Sequence, residues 1–131
     1  MFYKTRMRRL LRRMIMAAQP DGLRPGAAAV AASALMYERA AVAFGLTWRG
    51  LSPAQGALVV VLGARVVARL GAAEAALFES AAHRFAQSRG LEAFAAGIAR
   101  DIARIEQVVV SGRRGRMAGP LGGPADFPVM A

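Results

Sequence analysis

The chain has 131 residues, 56% of them hydrophobic, with 18 Lys and Arg against 8 Asp and Glu, a net charge of +10, one histidine and no cysteine. That length suits one core rather than two, and the absence of thiols excludes a disulfide framework, thiolate metal sites and thiol catalysis. The positive charge favours polyanionic partners, whether an anionic membrane surface, nucleic acid or an acidic protein groove. The apolar fraction, above the ~45–50% of an ordinary soluble domain, predicts that other protein chains cover part of the surface in a homo- or hetero-oligomer.

The first thirteen residues, MFYKTRMRRLLRR, hold six cations and no acid. On a helix ending near Gln19, Tyr3, Met7, Leu10, Met14 and Ala17 follow a 4,3,4,3 spacing and share a face, with Arg6, Arg8, Arg9, Arg12 and Arg13 on the other. This is the pattern of a basic amphipathic helix. It suits an anionic membrane surface or an acidic groove, where the apolar face docks and the arginines meet charge. Clustered arginines also suit a nucleic-acid backbone, whose condensed counterions they release. The apolar run MIMAA stops at Gln19 and Pro20, too short for a secretory signal, whereas an Arg-rich, acid-free presequence for organellar import fits residues 1–19. The expected location is intracellular and peripheral to a membrane.

QPDGLRPG reads as a loop, and a second helix follows over Ala27–Phe44, with Val30, Tyr37 and Phe44 recurring every seven residues. Gly45 then Leu46 reads as a left-handed glycine followed by its apolar neighbour. In the loop GLTWRGLS, Trp48 and Arg49 read as a plug for the end of a bundle or an interface anchor.

LSPAQ carries a strong helix start: Ser52 to cap, Pro53 for the first turn, and Gln55 to reach back. One continuous apolar face through Val59, Val66, Leu70 and Leu77, with Val60, Val67, Phe78 and Phe85, predicts a single long helix from Pro53 to about Ser88. A break at Gly71 is the alternative. SRGLE ends it, and the last helix, about Leu91 to Val110, carries the apolar stripe Leu91, Phe94, Ile98, Ile102, Ile105 and Val109, opposite Glu92, Arg100, Arg104 and Gln107. A turn at Gly90 folds it back as an αα-hairpin. From Ser111 the Gly/Pro-rich tail predicts no regular structure, and its Arg113, Arg114 and Arg116 provide a second cationic cluster.

The fold class expected is therefore all-α, a small bundle of about four helices, divided into a basic head (1–19), a helical region (20–110) and a basic tail (111–131). A membrane span is disfavoured because Glu38 and Arg39, or Arg65 and Arg69, interrupt the two apolar stretches, each charge costing ~2.5–3.5 kcal/mol at a bilayer centre. A transmembrane subunit of a larger complex is the minor alternative.

Catalytic chemistry finds little to work with. Glu79 and His83 are the one acid-histidine pair at i,i+4, a thin ligand set without the Glu-x-x-His spacing of a di-iron bundle. They read as a surface pair near Arg65 and Arg69. Ser33, Ser52, Ser80, Ser88 and Ser111 include a helix cap but no nucleophile elbow, and no phosphate loop or dinucleotide fingerprint is present. The expectation is a non-enzymatic interaction or assembly subunit with no cofactor, metal or small-molecule substrate. The apolar docking faces would be Tyr3, Met7, Leu10 and Met14 on the first helix and the stripe from Leu91 to Val109 on the last.

Overall fold

A computed structural model describes residues 2–20, 25–46 and 50–118, with side chains described for all of these except residues 2, 44 and 109–118. It is all-helical, a small bundle of five helices: α1 (Phe2–Ala17), α2 (Ala27–Phe44), α3 (Pro53–Val67), α4 (Ala72–Ser88) and α5 (Glu92–Ala118). The loop residues Trp48 and Arg49 and the end of the tail, 119–131, lie outside the described residues.

α3 is the axle. Its start is the capping box that the sequence predicts: Gln55 N–H donates to Ser52 Oγ at 3.2 Å and Ser52 N–H to Gln55 Oε1 at 2.9 Å. Every residue from Gly56 to Ala64 is buried, because α1, α2, α4 and α5 all pack around it. An uninterrupted apolar run is what a helix covered on all sides requires, which explains why GALVVVLGA resembles a membrane segment. Among the described residues no helix is long and apolar enough to cross a membrane. Small residues let neighbours approach closely. A Cβ on Gly63 would lie 2.6 Å from Leu46 Cδ1.

The expected long helix is two helices. α3 ends because Arg69 adopts a left-handed conformation (φ 53°), after which Leu70 N–H donates to the Arg65 carbonyl at 3.3 Å. The same closure recurs after α2, where Gly45 has φ 99° and Leu46 N–H donates to Ala41 O at 2.9 Å. It recurs after α4, where Gly90 has φ 66° and Leu91 N–H donates to Ala86 O at 2.8 Å. Each left-handed residue is followed by a leucine that turns into or against the core, the hydrophobic contact that accompanies this cap. Gly71 has another role. Its extended backbone (φ −64°, ψ 162°) makes it the N-cap of α4.

α1 belongs to the same core. It packs most extensively on α3, and also on α2 and α4, burying Met7, Leu11, Met14, Ile15 and Ala18. Tyr3 Oη donates to the Ser52 carbonyl at 3.2 Å near its start. At its end the carbonyls of Ile15 and Ala17 accept from Gln19 Nε2 (2.9 Å) and Arg84 Nη2 (3.3 Å), satisfying groups that a helix terminus leaves orphaned. α5 turns back after Gly90 and packs on α3 and α4. It continues as helix to Ala118, past the boundary expected at Val110. Helical geometry therefore extends into the Gly/Arg-rich segment that composition reads as irregular.

Candidate anion-binding surface

The seating of α1 divides its residues into an inner and an outer set. Two of the four apolar residues assigned to docking, Met7 and Met14, are core residues, and Tyr3 and Leu10 pack against that core. The face expected to meet a partner is covered by α2, α3 and α4, because a bundle of this size has nothing else to close the flank of α3. The stripe of α5 is similarly engaged: Ile102 and Ile105 are buried, and Leu91, Phe94 and Ile98 pack on the core. Neither stripe is a free docking face. The side chain of Val109 and those of Arg113, Arg114 and Arg116 on the last turns of α5 lie outside the described residues.

The arginines divide too. Arg8 lies at the edge of the buried arc, where its Nε and Nη2 donate to Glu38 Oε2 and Oε1 at 2.7 and 3.1 Å. Glu38 is the one buried charged residue among those described. The pairing raises the Arg8 pKa, first through the hydrogen bond to Glu38 and then through its charge. Arg8 thus neutralises an internal acid, a structural role beyond the anion contact expected of it. Arg6, Arg9 and Arg13 are exposed and Arg12 is half-buried. None of these four forms an ion pair among the described residues. At i, i+3 and i+7, Arg6, Arg9 and Arg13 form one ridge along the outer face of α1.

An open groove lies on each side of that ridge. On one side, about 640 Å³ is lined by Arg9, Arg12, Arg13 and Met16 of α1 and by Ala27, Ala28, Val30 and Ala31 of α2. Its floor is apolar and merges with the outer face of α2, where Ala28, Ala32, Met36, Val42 and Ala43 are exposed with Arg39 as the sole charge. On the other side, about 450 Å³ is lined by Arg6, Arg9, Leu10 and Arg13, by Ser52, Pro53 and Ala54 at the start of α3, and by Arg89 at the end of α4. Among the described residues, no acid lines either groove. Arg89 rests over the Phe85 ring, its Cζ 5.0 Å from the centroid, and nothing in the local sequence links it to the basic head.

Of the acid-histidine pair, Glu79 belongs to an ion-pair cluster. Arg65 Nη1 donates to Glu79 Oε1 at 2.6 Å and its Nε to Glu106 Oε2 at 2.8 Å, joining α3, α4 and α5, while His83 is exposed. Those hydrogen bonds, Glu79 first, raise the Arg65 pKa. Among the described residues no group of three or more His, Asp or Glu is placed to hold a metal ion.

Compared with protein-family models, with curated proteins and with solved structures, the chain shows no significant match.

Proposed function

We propose that the protein is a non-catalytic docking subunit that sits on an anionic membrane surface, meeting phospholipid headgroups with the outer arginines of α1 and the interface beside them with the exposed face of α2. The observation that carries this reading is the ridge of Arg6, Arg9 and Arg13, solvent-facing, without acid partners among the described residues, and adjoining a groove with an apolar floor. α2 is apolar on nearly all sides, yet Met36 and Val42 are 52% and 58% exposed. Cations beside an apolar strip match the two layers of a bilayer interface. A nucleic-acid backbone uses the cations alone.

Docking is by the bundle as a whole, since Met7, Leu11, Met14 and Ile15 of α1 are held inside. At about 1 kcal/mol per cation near an anionic leaflet, Arg6, Arg9, Arg12 and Arg13 together supply about 4 kcal/mol, roughly a thousandfold in partitioning. Co-sedimentation with phosphatidylserine-rich vesicles tests this. Changing Arg6, Arg9 and Arg13 to Gln is expected to weaken binding on the order of 100-fold, and Met36→Ser with Val42→Ser to weaken it further with the fold unchanged. Equal binding to neutral vesicles would refute the reading. Tighter binding to duplex DNA at the same salt, indifferent to Met36 and Val42, would replace it with nucleic-acid binding.

A further inference from the structure

We infer that the groove between α1, the start of α3 and the end of α4 is a discrete site for a multiply charged phosphate group, an inference that rests on the anionic-surface reading and names the chemistry of its ligand. Three of its lining arginines, Arg6, Arg9 and Arg13, come from one helix, and the fourth, Arg89, lies 76 positions beyond Arg13. Only the tertiary fold brings them to one concavity. Like charges gathered in a cleft repel each other, and with no acid among the described residues of the lining the arrangement is one that a bound anion relieves.

Charge sets the class of ligand. A phosphate monoester carries about −1.5 to −2 at neutral pH, half of what four guanidiniums can neutralise, whereas two or three linked or neighbouring phosphates come close to balance. Guanidinium forks suit phosphate oxygens, which they grip in pairs, and Phe85 restricts the position of the Arg89 fork. The volume, about 450 Å³, falls within the range of small-ligand sites. At the start of α3, Pro53 has no N–H and those of Ser52 and Gln55 are engaged in the capping box, so the four arginines carry most of the binding. The phosphates are those of a polyphosphorylated lipid headgroup or of a soluble oligophosphate.

Calorimetric titration with inorganic tripolyphosphate tests the site on the full chain, with Arg89→Gln as the diagnostic variant because Arg89 is not on the α1 ridge. The expected result is one site per chain, weakened at least tenfold by Arg89→Gln, partly restored by Arg89→Lys, and changed less than twofold by Arg104→Gln, whose residue lies on α5 and pairs with Asp101. Vesicles carrying bisphosphorylated inositol headgroups, compared with phosphatidylserine vesicles of equal surface charge, separate the sources. A preference lost in Arg89→Gln identifies the headgroup; tripolyphosphate binding without that preference identifies a soluble oligophosphate, and both support the site. If tripolyphosphate does not bind in a way that depends on Arg89, the site is refuted, even where phosphatidylserine vesicles still bind through Arg6, Arg9 and Arg13. Tripolyphosphate binding with no vesicle binding keeps the site and refutes the membrane reading.

Discussion

Replacing Arg8 with Gln should destabilise the fold while leaving polyanion binding almost unchanged, the reverse of what Arg9→Gln should do one residue along the chain. The Glu38 side chain is 6% exposed and that of Arg8 40%. Removing the cation therefore strands a carboxylate that the rest of the bundle does not solvate. For a fully buried pair the loss is about 3–5 kcal/mol. Because Arg8 is well over a third exposed, solvent screens the pair and water can reach Glu38 when the guanidinium is gone, which reduces the expected cost to about 2 kcal/mol. For a domain of this size that corresponds to a Tm lowered by roughly 6–10 °C. Thermal and urea melts measure the stability, and vesicle co-sedimentation measures the binding below the transition. The double variant Arg8→Met, Glu38→Leu should recover most of the loss, since a well-packed apolar pair replaces a buried ion pair at little cost. If Arg8→Gln melted like the parent chain and lost binding as Arg9→Gln does, Arg8 would be a solvated member of the ridge and the seating of α1 would be wrong.

Arg69→Gly should stabilise the chain by about 0.5–1 kcal/mol, because it relieves a left-handed side-chain residue, whereas Arg69→Val should destabilise it; urea midpoints decide, and a destabilised glycine variant would contradict the break after α3. Gly63→Ala should destabilise by about 1–2 kcal/mol, since displacing Leu46 from its buried position costs more than the ~1 kcal/mol gained in helix propensity. The same change should become stabilising, by up to about 1 kcal/mol, in a Leu46→Ala background, which calorimetry of the double-mutant cycle checks. Tyr37, held edge-on to Phe78 with ring centroids 5.5 Å apart, has its pKa raised from 10.0, first by burial and then by the charge of Glu74. The unfolded phenol loses its proton first, so this contribution is whole below pH 10 and lost as pH rises through the folded value; Tyr37→Phe should flatten that alkaline limb in melts recorded across it.

The helix count turned on one residue. Gly45 and Gly90 announce their left-handed turns because glycine adopts positive φ without strain, and the Leu after each marks the cap. At Arg69-Leu70 the same turn is made by an arginine, so the signal is absent and the apolar periodicity runs on across the break. Gly71 draws attention to the right place for another reason, since it caps the next helix with an ordinary extended backbone. The face of α1 was ambiguous in a similar way. Leu10 and Leu11, like Met14 and Ile15, are adjacent, and a helical stripe can be drawn through either of each pair. A strict 4,3 seam selects Leu10, but a helix lying in the angle between three others buries a wider arc, and Leu11, Ile15 and Ala18 complete it. The outer arginines were legible because Arg6, Arg9 and Arg13 fall within one narrow arc of the wheel, on the side away from Met7, Leu11 and Met14. Neither Arg8 with Glu38 nor Arg89 with Arg6 was legible, since each pair is separated by many residues and is joined only by packing.

An amphipathic basic segment that folds when it binds must order its backbone at that moment, and the cost reduces its affinity. α1 does not meet that cost, because Met7, Leu11 and Met14 fix it against α3 and the Tyr3 and Arg84 hydrogen bonds hold its two ends. The backbone from which Arg6, Arg9 and Arg13 project is therefore set before any anion arrives, and only the guanidinium stems remain to be ordered. A consequence is that fold and binding can be separated on the outer face of α1 and nowhere else on it. Substitutions at Met7 or Leu11 loosen the core and the ridge together, so a loss of binding there says nothing about whether those side chains touch the partner. Binding should instead track the number of outer arginines, with a salt dependence that falls as each is removed, while the melting temperature stays level; a fall of both together at Arg6, Arg9 or Arg13 would mean that the ridge is part of the packing after all.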